Sequence, residues 1–202
     1  MNEKQYDWSF GIQYFLACAL GVALFGMAAF FTIWTAGEAI AGAAGETAAW
    51  MTAGSLFGAL FALGASTGTG LLLGGRGVDA RKWIGYSAAA GAVGAALGFG
   101  LVISLVDMET APDSLAGLLM GLIVGLSVGI GQWLALRQAG PAANAWPLFT
   151  TIAFILAFSA GFAVDGEGRE WIAMSALGLV SGALMALGAV WLLGRRQTAV
   201  AA

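Results

Sequence analysis

The chain has 202 residues, 60% of them apolar and only 9% charged, with a formal net charge of -3 at pH 7. A soluble domain carries about 25% charged residues, so this composition, with a mean hydropathy of +0.88, excludes a soluble globular fold. Eight lysines and arginines dispersed along the chain form no basic patch, and no nucleic-acid partner is expected.

A helix needs about 20 apolar residues to cross the hydrocarbon core. Six segments meet that length: 12–34, 49–73, 83–106, 114–136, 146–164 and 171–193. The apolar core of the first, Tyr14 to Trp34, exceeds the 7–15 residues of a signal-peptide core. Its leader sets Lys4 against Glu3 and Asp7, so it reads as a span. An Ala/Gly-rich stretch, 35–48, follows as a long mobile outer loop. The second segment carries Gly54, Gly58, Ala62, Ser66, Gly70 and Gly74, four residues apart, with a polar cluster at Ser66, Thr67 and Thr69. Gly74-Gly75 ends it, and Asp79 is placed to cap the third, which carries Ala90, Gly94 and Gly98. Thr110 and Asp113 bracket Pro112 as a capping box for the fourth. Gly140-Pro141 stops that helix, and Asn144 and Pro147 restart the chain into the fifth, where Thr150, Thr151 and Ser159 are the polar residues. Asp165-Gly166 turns the chain into the sixth, with Gly178, Gly182 and Ala186. The expected fold is all-α: one transmembrane domain over 1–202, arranged as three tandem helical hairpins.

The fourth segment is the most informative. Gly117, Gly121, Gly125 and Gly129 recur every fourth residue, which stacks them on one helix face. Each interior glycine costs a helix in water about 1 kcal/mol relative to alanine. In a bilayer a groove of bare backbone lets a second helix approach closely. These glycines, with Gly54, Gly58, Gly70, Gly74, Gly94, Gly98, Gly178 and Gly182, are read as helix-packing positions. Six helices are expected to cover only part of this surface, leaving grooves for a partner.

Basic residues concentrate in loops on one side of a membrane. With the N-terminus inside, that side receives Lys4, Arg76, Arg81, Lys82, Arg137, Arg195 and Arg196, and the other only Arg169. Both termini are therefore expected on the cytoplasmic side of the inner (plasma) membrane. Trp8, Trp83, Trp133, Trp146 and Trp191 fall at inner boundaries and Trp34, Trp50 and Trp171 at outer ones, which reads as an aromatic belt. The ends of the even segments read GLLLGGR, GQWLALR and AVWLLGR, aligning Arg76, Arg137 and Arg195 at a period of about 60 residues.

Little chemistry is available. No acidic or basic residue lies within a predicted span, which argues against a charge-coupled carrier. There is no histidine and a single cysteine, Cys18, so no disulfide, histidine-ligated cofactor or zinc site is expected. No catalytic residue and no cofactor is assigned. Ser66, Thr67 and Thr69 are the candidate polar lining, and Gln132 and Arg137 the candidate contacts to a lipid head group or partner.

The segment GIGQWLALR (129–137) resembles a loose group of small bacterial multi-pass membrane proteins with repeated Gly-x-x-Gln-Trp-Leu-x-Leu-Arg segments. The resemblance implies a bacterial membrane protein and no activity. The expected function is a non-enzymatic structural or accessory subunit, packing within a larger complex or against copies of itself. The alternative is a channel or substrate-binding transport component for a small neutral or apolar solute.

Overall fold

The computed structural model describes residues 7–105, 113–139, 141–164 and 169–193. Six helices carry the fold: α1 (Trp8–Ala44), α2 (Glu46–Gly74), α3 (Ala80–Leu105), α4 (Asp113–Leu136), α5 (Trp146–Val164) and α6 (Glu170–Leu193). All six contain a stretch long and apolar enough to cross a membrane. Lys4, Thr110, Pro112, Gly140, Asp165-Gly166, Arg195 and Arg196 lie outside the described residues, as do the side chains of Trp34 and Asp113.

The largest departure from expectation is at 35–48. No loop stands there: α1 stays helical for 37 residues, to Ala44. At 1.5 Å per residue it is about 55 Å long, well beyond a hydrocarbon core of about 30 Å. The reason is local. The stretch is rich in alanine, the best helix former, and has no proline. The chain turns only at Gly45, whose φ of 83° suits a residue without Cβ.

At the other end of α2, the Val78 N–H donates to the Leu73 carbonyl at 3.2 Å, and Gly77 takes a φ of 81°. The Asp79 carboxylate then accepts the Arg81 and Lys82 N–H groups at 3.0 and 3.1 Å, capping α3. Between α4 and α5 the chain descends through two 3-10 turns, Arg137–Ala139 and Pro141–Ala145. There the Asn144 side-chain oxygen accepts the Trp133 indole N–H at 3.0 Å.

Each helix packs on its neighbours in sequence, and α6 closes on α1 to complete a ring. The apolar windows of α2, α4 and α6 are each 50% buried, against 28%, 33% and 39% for α1, α3 and α5, so the even helices lie deeper. On α4 the four glycines are buried, while the residues after them, Leu118, Leu122, Leu126 and Ile130, are all more than 40% exposed. Ile12, Leu16, Leu20 and Leu24 make the same kind of stripe on α1. Apolar surface this extensive is tolerated in hydrocarbon and would drive association in water.

The glycine faces are filled from within. A Cβ on Gly121 would lie 2.5 Å from the Phe154 carbonyl oxygen, and one on Gly117 2.9 Å from that of Phe158, both on α5. On α2, a Cβ on Gly58 would lie 2.0 Å from the Gly91 oxygen and one on Gly54 2.8 Å from the Ala95 oxygen, both on α3. Gly125 and Gly129 also face α5, Gly70 faces α3, and Gly94 and Gly98 face α4. Gly178 and Gly182 face α1 more loosely, at 3.0 and 3.4 Å, and Gly74 has only ordinary contact, at 3.5 Å from Ala80. Eleven of these twelve positions thus face a neighbouring helix of the same chain, and Gly74 alone among them is exposed.

These contacts also sharpen the repeat. Gly54 and Gly117, Gly58 and Gly121, and their carbonyl partners Ala95 and Phe158, Gly91 and Phe154, are all 63 residues apart. The repeated unit is thus a pair of helices joined through the basic-end turn, α2 with α3 and α4 with α5. Its register matches Leu73 to Leu136, both fully buried, and not Arg76 to Arg137.

Candidate functional site

The same offset organises the centre of the ring. The Trp83 indole N–H donates to the Thr69 hydroxyl at 3.1 Å, and the Trp146 indole N–H to the Gln132 amide oxygen at 2.8 Å. Both pairs are buried and both span 14 residues. The two indoles meet edge to face with centroids 5.6 Å apart, a favourable quadrupolar arrangement. Trp83 and Trp146 therefore do not belong to an aromatic belt: neither is exposed at all, whereas Trp8 is 59%, Trp171 60% and Trp191 40% exposed. A buried indole N–H needs an acceptor, and the helix ends supply one to each.

Tyr14, Thr69, Gln132 and Ser181 are the polar lining of a central cavity of about 10 Å³, whose otherwise apolar wall includes Cys18 and Met185. That is room for about one water molecule. Tyr14 of α1 places its hydroxyl beside Thr69. Thr69 spends its own proton on the Ala65 carbonyl at 2.9 Å, and Ser181 on that of Leu177 at 2.7 Å. The Gln132 amide oxygen is taken by Trp146, and its amide nitrogen has no acceptor among the described residues. With the tryptophans behind, all six helices contribute a polar or indole group to this centre.

Two buried hydroxyls have no partner among the described residues, Ser87 and Thr150. They too are 63 residues apart, each one turn beyond its tryptophan in α3 or α5. Leaving a buried hydroxyl unpaired costs about 1–3 kcal/mol.

The residues expected to act together are separated. Thr69 reaches the centre, while Ser66 is buried against the Leu63 carbonyl at 3.4 Å and Thr67 is exposed, donating to that same carbonyl at 2.6 Å. Gln132 is 5% exposed and engaged by Trp146, which withdraws it from any head group. Arg137 is at the surface, one residue past α4. Tyr14, Trp83, Trp146, Ser181 and Met185 were not anticipated. The usable signal was the matched 14-residue spacing of Thr69 to Trp83 and Gln132 to Trp146.

At the basic end, Asp7 caps α1 by accepting the Phe10 N–H at 3.0 Å. It also pairs with Arg76, whose guanidinium lies 3.8 Å above the Phe10 ring centroid. The Asp7 carboxyl is held below its ordinary 3.8, first by the Phe10 N–H and then by Arg76. Asp79 is lowered as well, chiefly by the Lys82 N–H.

Among the described residues no group of three or more His, Cys, Asp or Glu could hold a metal ion. Comparison with protein-family models, curated proteins and solved structures returns no match.

Proposed function

We propose that the protein is a non-enzymatic, multi-pass membrane protein of structural or accessory kind, held in the inner (plasma) membrane of a bacterium with both termini cytoplasmic. The observation that carries this reading is the size of the centre. Five helices line a cavity of about 10 Å³, with Trp83 of α3 bonded to its Thr69 wall, and the indoles there are satisfied by Thr69 and Gln132. Such a centre specifies helix register and leaves no volume for an organic substrate, which needs hundreds of Å³.

The bias of basic residues supports the orientation. Because the glycine faces are used internally, contact with another subunit or a second copy would run over the outer Leu-rich stripes. Native mass spectrometry of protein taken from its own membrane in mild detergent tests this. A stoichiometric mass of further subunits or copies is expected. A bare monomer in both detergent and nanodiscs overturns the accessory reading.

A second reading, binding or passage of a small neutral solute, rests on the amide nitrogen of Gln132 at the cavity, which has no acceptor among the described residues. Proteoliposomes that stay impermeable to water and small neutral solutes would remove it.

A further inference from the structure

The two positively charged ends of the matched helix pairs differ in a way that the centre does not explain. Arg76 is neutralised by Asp7 and stacked on Phe10. Arg137, in the next pair, has no ion-pair partner among the described residues. It lines a cavity of about 310 Å³ between the α2–α3 turn and the end of α4, within the size range of ligand pockets. Lys82, Tyr86, Gln138 and Asp79 line it too. The cavity thus has two cations against one carboxylate. That carboxylate already accepts two backbone N–H groups and faces Lys82 at only 3.6 Å. The net charge is positive, and Tyr86, Gln138 and the guanidinium add hydrogen-bond donors.

Its depth matters as much as its charge. Lys82 lies two residues inside the apolar window of α3, and Arg137 one residue beyond that of α4. This is the level of lipid phosphates. Directly toward the hydrocarbon, the same helices expose Val93 and Leu97, and Leu126 and Ile130, an apolar flank for acyl chains. A guanidinium binds phosphate oxygens in a bidentate fork, and basic pockets between transmembrane helices suit anionic head groups.

We propose that this cavity binds the phosphate of an anionic phospholipid head group, with Arg137 as the principal contact and Lys82 as the second charge. Arg137 is then a binding residue for lipid, while Gln132 is structural.

Thermal unfolding of the full-length protein in detergent tests the assignment. Micelles containing phosphatidylglycerol should raise Tm by roughly 3 °C or more over phosphatidylcholine, as a ligand that binds only the folded state does. Arg137→Gln and Lys82→Gln should each lose most of that rise, and Arg137→Lys part of it. Arg81→Gln, which removes a neighbouring charge outside the cavity wall, should keep it. Both Arg137 variants are read alongside Lys82→Gln, whose exposed side chain makes no structural bond beyond Asp79. Equal response to the two lipids, or a full response in the Arg137/Lys82 double variant, overturns the proposal. An equal rise with inorganic phosphate alone overturns the lipid as the source and leaves a soluble phosphate site.

Discussion

Side chains that find no partner are as informative here as those that do. Thr150 has a fully buried hydroxyl with no partner among the described residues, beside the Cβ position of Gly129. Thr150→Val conserves volume and removes the orphan, so it should be neutral or stabilise by up to about 1 kcal/mol. A drop in stability would mean the hydroxyl is satisfied by bound water. The Gln132–Trp146 bond should show a coupling of about 0.5–1.7 kcal/mol in a double-mutant cycle of Gln132→Leu and Trp146→Phe, the range for interhelical bonds in membranes. Asp7 adds a pH signature. A carboxyl depressed in the folded state stabilises above the ordinary carboxylate range, and that contribution disappears as pH falls through the folded value. Asp7→Asn should therefore be less stable than the wild type at neutral pH, and the gap should close below about pH 4. A constant gap would point to lost packing on Phe10 instead.

At the scale of helices, glycine is not one kind of residue. A Cβ on Gly58 or Gly121 would meet backbone oxygen of the facing helix at 2.0 and 2.5 Å, and backbone cannot move aside as a side chain can. Gly58→Ala and Gly121→Ala should each cost about 1–3 kcal/mol, and Gly121→Leu should loosen the bundle. Gly85 has nothing within 4 Å of its Cβ position and is exposed. Gly85→Ala should gain about 0.5–1 kcal/mol, through helix propensity alone. Thermal or detergent unfolding of the variants separates the two classes, and a uniform response would show that the stripes do not set helix spacing. The four-residue stripe of α4 could be read directly, because every member falls on one face. Which neighbour that face meets could not, since propensity and periodicity carry no partner identity.

Across the whole molecule, the matched pairs at an offset of 63 residues and the closure of α6 on α1 produce a ring with its polar groups at the centre and leucines at the rim. This arrangement inverts the burial rule for water-soluble proteins only on the outside. The inside is still close-packed, with Phe57, Phe61, Phe154 and Phe158 forming one aromatic cluster. Such a molecule should reconstitute as an impermeable body, and stopped-flow light scattering of proteoliposomes should match empty vesicles.

Composition and hydropathy alone determined that the chain is an all-helical membrane protein with six spans, because burial of backbone polar groups in lipid allows few alternatives. The cap at Asp79 and the stop at Gly74-Gly75 were equally local, set by side-chain reach and backbone freedom. The length of α1 was legible in principle, but an Ala/Gly-rich stretch beyond the hydrocarbon reads as loop until its lack of a breaker is weighed. Only the tertiary structure decided the rest. It turned Trp83 and Trp146 inward, split Thr67 from Thr69 and Gln132 from Arg137, and used the glycine grooves internally. Those outcomes depend on which helix faces which, and that is fixed by interlocking contacts between segments far apart in the chain.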